Sequence, residues 1–102
     1  MFARVTRFNI RPESLQQGSH RIEEHLIPAL RMQKGYSGGF LLANKVNHKM
    51  LAVTLWEDEQ NMHATDEASH WFRVFGAEAF DGKVKDVETY EVYRARLDHP
   101  EP

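Results

Sequence analysis

Cysteine is absent from the 102 residues. Disulfides, thiolate nucleophiles, zinc–thiolate centres and iron–sulfur ligation are therefore excluded as chemistry borne by this sequence. An excess of one charge is also missing. Thirteen Lys and Arg stand against 15 Asp and Glu, for a formal net charge of −2. The basic residues are scattered, which leaves no phosphate-tracking field for nucleic acid and no basic face for an anionic membrane. No apolar run approaches the ~18 residues of a membrane-spanning helix. The opening "MFARVTRFNI" alternates like a strand and lacks the apolar core of a secretory leader. These absences predict a cytoplasmic protein with neither nucleic acid nor membrane as partner.

Repeats, low-complexity segments and internal linkers are lacking as well. One domain over residues 1–102 is expected, with its core at 2–94 and a polar tail at 95–102. Within it, residues 2–10 alternate, with Phe2, Phe8 and Ile10 on one side and Ala3 and Val5 on the other. "RPES" opens a helix, because Pro12 stands where no amide donor is needed and Glu13 suits the positive end. Leu15, Ile22, Leu26 and Ala29/Leu30 then form one apolar stripe, with a kink or a break into two segments expected at 24–27 ahead of Pro28. Gly35 is placed to cap its end. "GYSGGFLLANK" and "MLAVTLWE" read as a hairpin joined by the polar link "VNHK". A second helix is expected from about residue 58 to 80, and "VKDVETYEVYRA" as the last strand.

The resulting order, β-α-β-β-α-β, predicts an α+β, ferredoxin-like fold: an antiparallel four-stranded sheet with two helices on one face. Yet the two hairpin strands are apolar on both faces, with Phe40 and Leu42 opposing Leu41 and Ala43, and Leu51, Val53 and Leu55 opposing Ala52, Thr54 and Trp56. Whichever face the helices leave uncovered would be wet, at a cost of several kcal/mol at about 25 cal/mol per Å². A second copy of the sheet is the simplest cover, so a homodimer closing into an α+β barrel is expected.

The stretch "GYSGGFLLANKVNHKMLAVTLWEDEQNM" and the final "VETYEVYR" resemble the antibiotic biosynthesis monooxygenase family of dimeric α+β barrels. Shared features are a Gly-aromatic-x-Gly lead-in to strand two, a short turn, a strand closing on Trp56 and an acidic helix start. The resemblance implies the same fold and a cavity between the sheet and helices. It also implies a small oxygenase that needs neither metal nor cofactor and acts on an aromatic or quinonoid molecule. The alternative it implies is a non-catalytic barrel holding a hydrophobic ligand such as haem, or a structural or stress-related module. The haem-degrading branch of the family carries an Asn on strand one and a Trp and His nearly three turns apart on helix two. Here Thr6 stands at the Asn position and His70 and Trp71 are adjacent, so that set is incomplete.

Candidate chemistry concentrates in "TLWEDEQNMHATDEASHWF". His70 is the candidate general base, because an imidazole titrates near neutrality, with Glu67 one turn earlier to orient it; the alternative is that His63 and His70 are exposed residues of a polar helix edge. Trp56, Trp71, Arg4, His63 and Tyr90 are the candidate substrate-binding residues. Trp56 would stack on an aromatic ring or wall the cavity, or else plug the junction between strand and second helix. Arg4 would hold an anionic group or pair with Glu88 or Glu91. Tyr36 and Tyr90 would contribute hydroxyls or complete the core. Glu67 and His70 also spell ExxH, but no matching pattern on another helix completes a di-metal site, so no metal is expected. "HRIEEH" at 20–25 spreads around a helical turn and reads as solvated surface.

Overall fold

A computed structural model describes residues 1–94; the expected polar tail at 95–102 lies outside them. Four strands, β1 (Phe2–Asn9), β2 (Tyr36–Asn44), β3 (Lys49–Trp56) and β4 (Val84–Glu91), form one antiparallel sheet in the order β2-β3-β1-β4. The helical segments lie between β1 and β2 and between β3 and β4, and the expected α+β, ferredoxin-like order is the one observed. The last strand ends at Glu91, short of the expected stretch.

The first helical rod is continuous but changes its winding. A 3₁₀ turn (Pro12–Ser14) leads into α1 (Leu15–Arg21), a π-helical turn (Ile22–Leu26) and α2 (Ile27–Arg31). Pro28 has no amide to offer the carbonyl four residues back, and the rod widens one turn before it. The Ile27 amide donates to the Ile22 carbonyl, five residues away. The kink expected from Pro28 thus takes the form of a π turn.

The second helix departs from the expected single rod. Asp58 caps α3 (Glu59–Ala64) by accepting the Asn61 amide at 2.7 Å, and α4 (Asp66–Ala79) starts afresh after Thr65. The Met62 carbonyl draws the chain out of helical register. It accepts the Thr65 hydroxyl at 2.7 Å, the Thr65 amide at 3.2 Å and Arg4 Nη2 at 2.9 Å.

Between the rods and the sheet lies the core, in which Phe8, Ile22, Leu26, Leu30, Met50, Trp56, Met62 and Phe80 are buried together. Full burial of a side chain such as Phe80 or Met62 contributes about 1.5–3 kcal/mol. Two glycines make the turn into β2. The first rod ends at Arg31 with Met32 as its C-cap, so Gly35, expected as the cap, stands instead in the turn beyond it at φ +83°, where a Cβ would stand 2.6 Å from that of Asn61. Gly38 sits at φ +138°, where the β2–β3 register shifts. This geometry underlies the Gly-aromatic-x-Gly lead-in. On the face away from the helices, Phe40 and Leu42 are half exposed beside Leu51, Val53, Leu55 and Val5.

Candidate functional site

Strand alternation aims Arg4, Thr6 and Phe8 of β1, and Ala52, Thr54 and Trp56 of β3, at the helices. Ile22, Leu26 and Leu30 descend from the first rod, and Ser69, Phe72, Arg73 and Gly76 from α4. Together they line a cavity of about 60 Å³. That space holds a few waters; a drug-sized ligand needs about 300 Å³ or more, so a ring system must displace part of the lining. A groove of about 300 Å³ between the first rod and β2 shares Ile22, Leu26, Leu30, Leu41, Ala52 and Thr54 with the cavity, and extends the apolar space toward the sheet edge.

Arg4 is the cavity's fixed polar element. Nη1 donates to Ser69 Oγ and to Thr65 Oγ1 at 3.3 Å, while Nη2 donates to the Met62 carbonyl and to Asp66 Oδ1 at 2.5 Å. The guanidinium also lies 5.8 Å from the centre of the Trp56 ring. Burial lowers its pKa and the Asp66 carboxylate opposes that shift. Arg4 therefore fastens β1 to the α3–α4 junction, and its bonds go to helix residues, with neither Glu88 nor Glu91 as partner. Trp56 is fully buried. Its Nε1 donates to Thr54 Oγ1 at 3.0 Å and its ring meets Tyr36 edge-on at 5.7 Å, which makes it a wall of the cavity.

Arg73, unremarked in the sequence, lines the same cavity half-buried, and has no hydrogen-bond or ion-pair partner among the described residues. A free cation beside an apolar space is suited to a developing negative charge. Among the described residues, the cavity lining contains no Asp, Glu, His, Lys or Tyr.

The other sequence candidates lie elsewhere. His70 and Glu67 are on the exposed side of α4, outside the lining. Trp71 is half exposed, stacked on Phe75 at 5.5 Å and edge-on to Phe72 at 5.4 Å. His63 stands at the surface between Glu59, at 3.5 Å, and Asp66, at 3.4 Å. Tyr90 is on the opposite sheet face, where its hydroxyl donates to Glu88 and its pKa is raised chiefly by that bond. Tyr36 is half-buried, and desolvation raises its pKa. Only Arg4 and Trp56 of the expected set meet at the cavity. Among the described residues no group of three or more His, Asp or Glu is gathered as metal ligands, and no helix is long and apolar enough to cross a membrane.

Solved structures share this architecture. A monooxygenase from the gene ActVA-Orf6 of Streptomyces coelicolor, in complex with nanaomycin D, superposes with a TM-score of 0.70 at 17% identity, covering 96% of this chain and 92% of that one. The haem-degrader MhuD of Mycobacterium tuberculosis, with two haems in its active site, also gives 0.70 at 17% identity, over 95% and 100% of the two chains. SnoaB, a cofactor-independent oxygenase from Streptomyces nogalater, gives 0.59 at 18% identity, over 98% and 97%.

The chain has the fold of the antibiotic biosynthesis monooxygenases.

Identities this low establish the monooxygenase fold alone. No protein-family model matches the chain. Among curated sequences it is 29% identical over 99 residues to the uncharacterized protein Rv2557 of Mycobacterium tuberculosis, covering 97% of this chain and 44% of that protein. The chain thus spans less than half the length of the curated relatives it matches.

Proposed function

We propose that the helix–sheet cavity binds a planar aromatic or quinonoid molecule bearing one acidic oxygen, and that the protein oxygenates it without metal or flavin. The observation that carries this reading is Arg73, half-buried and unpartnered among the described residues at the edge of an apolar space walled by Trp56. A phenol entering between Phe72 and Trp56 would place its oxygen at Arg73. The guanidinium stabilises the phenolate, whose electrons O₂ can take. One oxygen atom then joins the ring as a second carbonyl, and the other leaves as water, so that phenol plus O₂ gives quinone plus water. The oxygenase and the nanaomycin D complex that share the fold support this class of ligand.

Because the described residues of the lining include no carboxylate or imidazole to accept it, the phenol's proton is lost to solvent on entering. His70, outside the lining, is not needed for the step. The same lack favours a second reading, a barrel that holds such a ligand without turning it over, and the haem bound by MhuD is an example of a planar guest in this fold. Oxygen uptake with hydroxynaphthalenes separates the two. Oxygenation predicts one O₂ consumed per quinone formed, a loss of at least tenfold in Arg73→Gln and none in His70→Ala. Saturable binding of the same compounds without uptake would remove the enzymatic reading.

We further propose that the exposed apolar sheet face packs on a second copy. Phe40 and Leu42 of β2 border Leu51, Val53 and Leu55 of β3, a continuous surface larger than isolated exposed side chains would make. Tyr90 would then belong to the interface.

A further inference from the structure

We infer that Gly76 is the residue that sets how large a ring the cavity accepts, an inference that rests on the ligand-binding reading above. Gly76 stands inside the last two turns of α4, where glycine is a poor choice: it leaves more backbone freedom to be lost on folding than alanine would. Helical glycines are usually explained by a neighbour that leaves no room for a Cβ. Gly18 is of that kind, since a Cβ there would meet Phe80 at 2.4 Å and the Ala79 carbonyl at 2.6 Å. At Gly76 the opposite holds. Its backbone is buried, yet a Cβ would find no atom within 4 Å beyond its chain neighbours and the backbone of its own helix. The open space beside a buried backbone is internal, and Gly76 is part of the cavity lining.

The rest of the lining fits this role. The π turn carries Ile22 and Leu26 into the same cavity, and such turns are rare and gather at functional sites. Arg73 lies one turn before Gly76 on α4, so a flat molecule whose oxyanion reaches Arg73 would lay its ring toward the missing side chain. Alanine at position 76 would stabilise the helix and narrow the cavity. Stability and binding would therefore move in opposite directions, which a purely structural glycine would not produce.

The experiment uses the two tryptophans of the chain. In a Trp71→Phe background Trp56, in the cavity wall, is the only indole. Its fluorescence is titrated with 2-hydroxy-1,4-naphthoquinone, a planar quinone that is anionic at neutral pH. Gly76→Ala and Gly76→Leu are made in the same background and melted without ligand. The expected result is saturable quenching in the parent, weakened about tenfold by Ala and abolished by Leu. The Ala variant should melt roughly 4 °C higher, the shift typical of a small helix gain in a domain of this size. Unchanged affinity in both variants would overturn the inference while leaving the cavity reading intact. A lower melting temperature in the Ala variant would overturn it too, by revealing a packing reason for glycine. Absence of saturable quenching in the parent would instead defeat the ligand-binding reading itself, and this inference with it.

Discussion

Replacing Arg4 by Met keeps most of its apolar volume and removes the guanidinium that joins β1 to the α3–α4 junction. Three of the lost bonds run to buried acceptors, the Met62 carbonyl, Thr65 Oγ1 and Ser69 Oγ. Charge-assisted bonds contribute about 1.5–3 kcal/mol each, so the lower end would give roughly 4.5 kcal/mol for three. The junction can recover part of this. The Met62 carbonyl keeps the Thr65 amide and hydroxyl, and the Ser69 hydroxyl can turn to a carbonyl of its own helix. About half should survive as a net loss, ~2 kcal/mol, or roughly 8–16 °C in melting temperature. Asp66 is the informative control. Its contact with Arg4 is short, at 2.5 Å, but its side chain is 60% exposed, so Asp66→Asn should cost under ~1 kcal/mol. Urea titration measures both, as a shift in midpoint at unchanged slope. If Arg4→Met leaves the midpoint unchanged or raises it, desolvation of the cation equals or exceeds its bonds, and the clamp does not stabilise the fold. If Asp66→Asn costs as much as Arg4→Met, the surface ion pair is the stabilising contact and the buried acceptors are incidental.

Three further outcomes are expected. Val53→Asp together with Leu42→Glu places two charges on the apolar sheet face, and sedimentation velocity should show a dimer becoming a folded monomer; an unchanged sedimentation coefficient would exclude this face as the interface. Gly18→Ala forces a Cβ into the Phe80 ring and the Ala79 carbonyl and should destabilise by about 1–3 kcal/mol, read as a lower urea midpoint. Burial raises the Tyr36 pKa above its ordinary value of 10.0, so its stabilising contribution is complete below that pH and is lost as the pH rises toward the folded-state value. Melting temperatures taken from about pH 9 upward should therefore fall less steeply in Tyr36→Phe than in the parent; parallel curves would remove Tyr36 as the cause.

Much of the fold was legible because its signals are local. Alternation along β1 and β3 and the glycines flanking Tyr36 at the start of β2 act over a few residues, and Pro28 located the irregularity of the first rod. The site was less legible because its decisive contact spans the chain. Arg4 and Thr65 draw on one carbonyl, that of Met62, and the helix restarts beyond it. The face of α4 turned inward carries Ser69, Phe72, Arg73 and Gly76, a mixture of polar, charged and missing side chains that no hydrophobic period marks. Ala64 of α3 is exposed, whereas the polar Thr65 and Ser69 are buried beside Met62.

By itself, then, the sequence determined the order of elements, the two-faced apolar sheet and the exclusion of thiol chemistry, since each follows from residue type and short-range spacing. Tertiary structure alone decided which side chains share the cavity. It turned His70 and Glu67 to the surface and committed Arg4 to the α3–α4 junction. It also left Arg73 beside an apolar space and gave Gly76 room that no neighbour fills. The phase of a helix against a sheet is fixed by contacts between residues some sixty positions apart, such as Arg4 and Asp66, and local periodicity carries no record of them.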